Sequence, residues 1–155
     1  MPTPAPAPTP KCPSIEEIET KWKKDSKLDK TMLAENSLDV DYLHAEWLGI
    51  YRMCKEQLTR LQYMLDKKQF DAKEYYSGKA DTSVYKDKPF DKKVMKTDLD
   101  RYVNVDPDVA KVSIATDKAK LKVELCESIL KQIAWRSNSI RNAISYIKFL
   151  NGETS

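Results

Sequence analysis

Two adjacent tyrosines, Tyr75 and Tyr76, stand in the stretch EYYSGKAD (74–81), with Lys67, Lys68 and Lys73 before them and Lys79 after. A second basic segment, YKDKPFDKKVMK (85–96), sets five lysines against two aspartates, a local charge of +3. Ammonium groups neutralise phosphates and release condensed counterions, and an exposed aromatic ring stacks on an unpaired base whatever its identity. These residue types together suit single-stranded nucleic acid, and they nominate Lys67, Lys68, Lys73, Tyr75, Tyr76, Lys79, Lys92, Lys93 and Lys96 as its binding set. The competing reading is a solvated, charge-rich loop whose tyrosines pack into a core. On that reading the chain is a helical structural or scaffold oligomer that binds no nucleic acid.

Other chemistry finds little support. The sequence has no G-x-x-x-x-G-K-[ST], G-x-G-x-x-G or H-E-x-x-H, so phosphate-cradling loops and zinc-hydrolase motifs are excluded at this level. His44 is the single histidine, and no nucleophile is linked to it. The pairs Asp98/Asp100 and Asp106/Asp108 are explained by capping and solubility more simply than by cation binding. Cys12, Cys54 and Cys126 are odd in number and lack C-x-x-C spacing, which predicts free thiols in a reducing compartment. The chain is therefore expected to have no catalytic residue, metal or cofactor. It has no apolar run of about 18 residues and no signal-peptide pattern, so a cytoplasmic protein is expected. A net charge of +3 over 155 residues is too slight to identify a partner by itself.

The elements that must position these side chains are helical. Charged residues make up 33 % of the chain and glycines number only three, a composition favouring long, surface-rich helices. Residues 1–13 hold six of the eight prolines and predict an extended or disordered tail. Ser14 and Glu17 have capping-box spacing, opening a first helix with Ile15, Ile18 and Trp22 on one face. Leu43, Trp47, Tyr51, Cys54, Leu58, Leu61 and Leu65 recur at helical spacing, predicting one helix over about 38–75, roughly 55 Å long. Gly78 punctuates its end. Residues 79–105 carry isolated hydrophobes among charges and predict a loop with a short strand pair.

Asp106 and Pro107 then read as the N-cap and first residue of a C-terminal helix. In it Val112, Ala119, Cys126, Ile133, Ile140 and Ile147 recur every seven residues, with Val123, Leu130 and Ile144 on a second track. This seam serves equally well to pack on the preceding helices or to join copies of the chain. Cys126, Ile133, Ile140, Ile144 and Ile147 are its candidate oligomerisation residues. The expected organisation is a mainly α protein with a tail (1–13), a helical region carrying the charged loop (14–105) and a helical assembly region (106–152).

Several stretches in this order resemble the UvsY family of recombination mediators of T-even-like phages. They are IEEI...WKKD (15–25), Trp47-Leu48, EYYSG ending at Gly78, Met95-Lys96-Thr97, DVAKV (108–112) and Ile133-x-x-Arg136. The resemblance covers about Ile15 to Gly152 and leaves out the proline-rich tail. It implies a non-enzymatic, ring-like homo-oligomer in the cytoplasm of an infected bacterium. Such a protein binds single-stranded DNA and helps the recombinase UvsX displace the phage single-strand DNA-binding protein. Two positions that are basic in the family pattern hold Phe70 and Ala72 here.

Overall fold

The computed structural model describes residues 11–153, and among these it contains helices but no strand. Its helices are α1 (Ile15–Asp25), α2 (Leu33–Leu38), α3 (Val40–Tyr76), α4 (Thr82–Asp87), α5 (Leu99–Asn104) and α6 (Pro107–Leu150). The strand pair expected within 79–105 is thus replaced by two six-residue helices, α4 and α5. Asp81 caps α4 by accepting the Ser83 N–H, which gives this stretch a helical nucleus that its hydrophobic pattern does not advertise. Expectations for residues 1–10 lie outside the described residues.

Local chemistry sets the long helices' limits. Ser14 N–H donates to Glu17 Oε2 (2.7 Å) and Glu17 N–H to Ser14 Oγ (3.2 Å), which satisfies two otherwise orphaned donors at the start of α1. At the end of α3, Gly78 has φ +79°, Lys79 N–H donates to the Glu74 carbonyl (2.9 Å) and Gly78 N–H to the Tyr75 carbonyl (3.3 Å). This is a Schellman cap, whose left-handed residue favours glycine. Asp106 caps α6 as expected, its Oδ1 accepting from the N–H groups of Asp108 (3.0 Å) and Val109 (3.3 Å).

Two compact units divide the chain, one comprising the described residues up to Lys55 and from Lys122 onward, the other Glu56–Leu121. The divisions fall inside α3 and α6. In the first unit Trp47 is fully buried, with its ring edge-on to Trp22 at 5.8 Å and its indole N–H donating to Asp25 Oδ2 (3.1 Å). Arg136 closes the other side of this joint, donating from Nη1 to the Asp25 carbonyl (2.9 Å) and from Nη2 to the Lys27 carbonyl (3.0 Å). A cation at the C-terminus of α1 also meets the negative end of the helix dipole.

Cys126, Ile133 and Ile140 are 0, 0 and 2 % exposed within the single chain. At these three positions the seam is covered by the chain's own packing. Ile144 is exposed and Ile147 half-buried, in the last turns of the helix. Tyr146, Phe149 and Leu150 are exposed in the same turns, and Trp135 is exposed further back on α6.

Candidate nucleic-acid interface

The second unit folds the end of α3 back against the segment that follows it, and the tyrosines of EYYSGKAD make that joint. The Tyr75 ring stacks on Tyr85 (centroids 5.4 Å, planes 17° apart) and meets Phe90 at 5.4 Å. Tyr76 packs edge-on against Phe90 (5.3 Å) and lies 5.5 Å from Tyr102. Their hydroxyls are also committed. Tyr75 Oη donates to the Lys88 carbonyl (3.0 Å), Tyr85 Oη to the Tyr75 carbonyl (2.7 Å) and Tyr76 Oη to Asp106 Oδ2 (2.9 Å).

Burial, and then the hydrogen bond to the Asp106 carboxylate, push the Tyr76 hydroxyl up to about 12. Asp106 uses its other oxygen to cap α6, so one carboxylate ties the end of α3 to the start of α6 within this unit. Tyr75 is only 7 % exposed and cannot offer a face to a base without unpacking, and Tyr76 is half-buried. Stacking of Tyr75 on a base would require that unpacking; a pair of adjacent aromatic residues does not reveal from sequence which side of the helix end the chain will return on.

The lysines fare differently. The last turn of α3, the Gly78 cap and the segment between α4 and α5 enclose a cavity of about 630 Å³ lined by Lys73, Ser77, Lys79, Lys93, Val94, Met95, Lys96, Leu99 and Asp100. Four of the candidate cations converge there against one carboxylate. Lys73 Nζ lies 3.8 Å from Asp100 Oδ1, both groups being well exposed, so this pair is weak and open to exchange for a phosphate. Gly78 is what permits the arrangement. By turning the chain at the end of α3 it sets Lys79 beside Lys73, and the tyrosine cluster holds the returning segment that carries Lys93 and Lys96.

Lys67, Lys68 and Lys92 do not line this groove. Lys68 pairs with Asp108 at 3.6 Å, whereas Lys67 and Lys92 are exposed. The binding set nominated from sequence leaves out two exposed aromatic side chains on the second half of α3, Tyr63 (72 % exposed) and Phe70 (64 %). Seven residues apart, they share a helical face with Lys67, Lys73 and Ser77, and that face runs into the groove. Asp66 and Glu74 lie on the same face, so the cationic excess resides in the groove and not along the helix. A helical projection of 63–77 carries this signal, but it competes with the more conspicuous Tyr75-Tyr76 pair. Ala72 is buried beside Val103 and Val109, so that position has no access to a phosphate.

A sequence profile of the family described as "Recombination, repair and ssDNA binding protein UvsY" matches residues 21–153. Among solved structures, one crystal form (lattice type II) of the bacteriophage T4 recombination mediator protein UvsY superimposes with a TM-score of 0.79 at 22 % identity, covering 88 % of this chain and 97 % of that one. Lattice type I of the same protein gives 0.77 at 22 % identity, with 86 % and 98 % covered. Lattice type IV gives 0.75 at 20 % identity, with 87 % and 97 % covered. No curated protein sequence matches.

Proposed function

The chain belongs to the UvsY family of recombination, repair and single-stranded-DNA-binding proteins, and from that premise we propose that it is a recombination mediator whose DNA-binding surface is the lysine groove of its second unit. The observation that carries this reading is the family match over residues 21–153. The groove supplies chemistry to go with it: Lys73, Lys79, Lys93 and Lys96 attract phosphates, and Met95, 72 % exposed, gives a base an apolar surface to rest on. Tyr63 and Phe70 extend the track along α3 as stacking surfaces, with Ser77 at its groove end, over about 21 Å at the helical rise. Lys67 and Lys92 add charge at the margins, within a Debye length of about 10 Å of their neighbours.

Mediation needs no covalent step. A protein that holds single-stranded DNA in a conformation favoured by the recombinase and disfavoured by the single-strand DNA-binding protein shifts the exchange by differential affinity. The recombinase is of the UvsX kind, and the setting is the cytoplasm of an infected bacterium. Among the described residues no helix is long and apolar enough to cross a membrane. The working form is a ring-like homo-oligomer joined through the exposed apolar end of α6, where Ile144, Tyr146, Phe149 and Leu150 lie. Closure multiplies weak contacts, because one strand then meets every subunit's groove at high effective concentration.

The test is recombinase filament assembly on DNA pre-coated with the binding protein. Addition of this protein should shorten the lag and leave DNA intact, whereas an unchanged lag at saturating protein refutes the mediator role.

A further inference from the structure

Three cysteines far apart in sequence meet inside the first unit. Cys12, on non-helical backbone two residues before the Ser14 cap, lies with its Sγ 3.4 Å from that of Cys54 on α3. Cys54 is in turn hydrogen-bonded to Cys126 on α6. Lys122, one turn before Cys126 and only 8 % exposed, donates from Nζ to Cys12 Sγ (3.3 Å) and to the Pro13 carbonyl (3.0 Å). Among the described residues no group of three or more His, Cys, Asp or Glu side chains is arranged to hold a metal ion.

We propose that Cys12 and Cys54 form a peroxide-oxidisable dithiol, with Cys12 the attacking and Cys54 the resolving thiol, which on oxidation bonds the segment entering α1 to α3. Exposure assigns the roles. Cys12 is half-buried, whereas Cys54 and Cys126 are both 0 % exposed, so a hydroperoxide in solution reaches Cys12 first. The Cys12 thiolate attacks a peroxide oxygen and the O–O bond breaks. This gives a sulfenic acid at Cys12 and a hydroxide that takes a proton to leave as water. The Cys54 sulfur then attacks the Cys12 sulfur and expels hydroxide, which leaves as a second water with the Cys54 proton. In sum two thiols are oxidised to one disulfide and one hydrogen peroxide is reduced to two waters.

Burial raises the Cys12 thiol above its ordinary value, as does its hydrogen bond with Cys54, while the Lys122 ammonium opposes that rise. The first step is therefore slow and depends on Lys122. The resolving step is slowed as well, because a hydrogen bond with Cys126 and then burial raise the Cys54 thiol. Cys126 is shifted the other way, lowered by the hydrogen bond from Cys54, but its burial keeps oxidant from it. The sulfurs must approach by more than an ångström to bond, and the non-helical backbone at Cys12 can absorb that movement while α3 and α6 stay in place.

The experiment exposes the reduced full-length chain to a small excess of hydrogen peroxide, followed by intact mass, denaturing alkylation and a non-reducing peptide map. The expected product is a monomer lighter by two hydrogens, with one alkylatable thiol, a Cys12–Cys54 linked peptide and full reversal by dithiothreitol. Cys126→Ser should give the same bridge, Cys12→Ser should keep both remaining thiols reduced over the same exposure, and Lys122→Met should form the bridge more slowly. A bridge that includes Cys126, Cys12 ending as sulfinic acid with Cys54 still free, or three thiols surviving the exposure would each overturn the proposal. If Cys126→Ser does not fold, the peptide map of the unsubstituted chain decides by itself.

Discussion

Replacing Lys93 and Lys96 together by alanine should change how DNA binding responds to salt before it changes anything else about the molecule. Both side chains are exposed, and both line the groove with Lys73 and Lys79. Exposed substitutions of this kind alter stability by about 0.5 kcal/mol or less, so the fold should persist. Each phosphate neutralised on a single strand contributes about 0.7 to the logarithmic salt slope, so losing two contacts should flatten it by about 1.4 per engaged subunit. Over a roughly fourfold rise in salt, that makes the variant's loss of affinity about sevenfold smaller than the parent's. Lys73 is the poorer choice for this test, because Asp100 at 3.8 Å already shares its charge. The assay is fluorescence anisotropy of labelled oligodeoxythymidylate at several salt concentrations, with circular dichroism and light scattering as controls. A double variant that remains helical, with the parent's mass in solution, yet keeps the parent's slope refutes the placement of DNA in the groove.

Phe70→Ala should weaken oligodeoxythymidylate binding by about 1 to 3 kcal/mol if its exposed ring stacks on a base, with the salt slope unchanged; anisotropy again reads the result. Tyr75→Ala should instead destabilise the fold by about 3 kcal/mol or more in urea, because the buried ring sits among Tyr76, Tyr85 and Phe90. Tyr76 resists ionisation to about pH 12 when folded but to only about 10 when unfolded, so its stabilising contribution is complete below pH 10 and lost as pH rises from about 10 to 12. An absorbance titration should show a late-ionising phenol that is missing in Tyr76→Phe. The internal glycines should respond with opposite signs in thermal unfolding: Gly49→Ala, in mid-helix with open space around an added Cβ, stabilises by about 0.5 to 1 kcal/mol, whereas Gly78→Ala, at φ +79°, destabilises by about 1 kcal/mol. Ile140→Asp buries a charge in the chain's own core and should abolish cooperative folding, while Phe149→Asp, at a 77 % exposed position, should leave a folded chain of lower mass in sedimentation.

Features governed by neighbours in the chain were legible before the fold. Ser14 with Glu17, Gly78, and Asp106 with Pro107 each act within one helical turn, and α3 ends within two residues of its expected limits at both ends. The middle segment was not, because α4 and α5 have six residues each, too few for a hydrophobic period to emerge from the surrounding charges. The α6 seam was visible as a pattern, but a pattern does not name what covers it, and the chain's own packing claims Cys126, Ile133 and Ile140. In the candidate site the lysines could be nominated from composition, whereas the role of the tyrosines depended on where Tyr85, Phe90 and Tyr102 return. The thiol cluster had no sequence signal at all. Its members are 42 and 72 residues apart, and only tertiary packing brings them together.

Photo-crosslinking of oligodeoxythymidylate to the protein, with the attached peptides identified by mass spectrometry, tests the placement of DNA most directly. Crosslinks should concentrate in peptides carrying Phe70, Lys73, Ser77 to Lys79 and Lys93 to Lys96, and should fade as salt is raised. Crosslinks confined to α1, α2 or the last turns of α6, with the 70–96 peptides unmodified, would contradict a lysine groove as the DNA-binding surface.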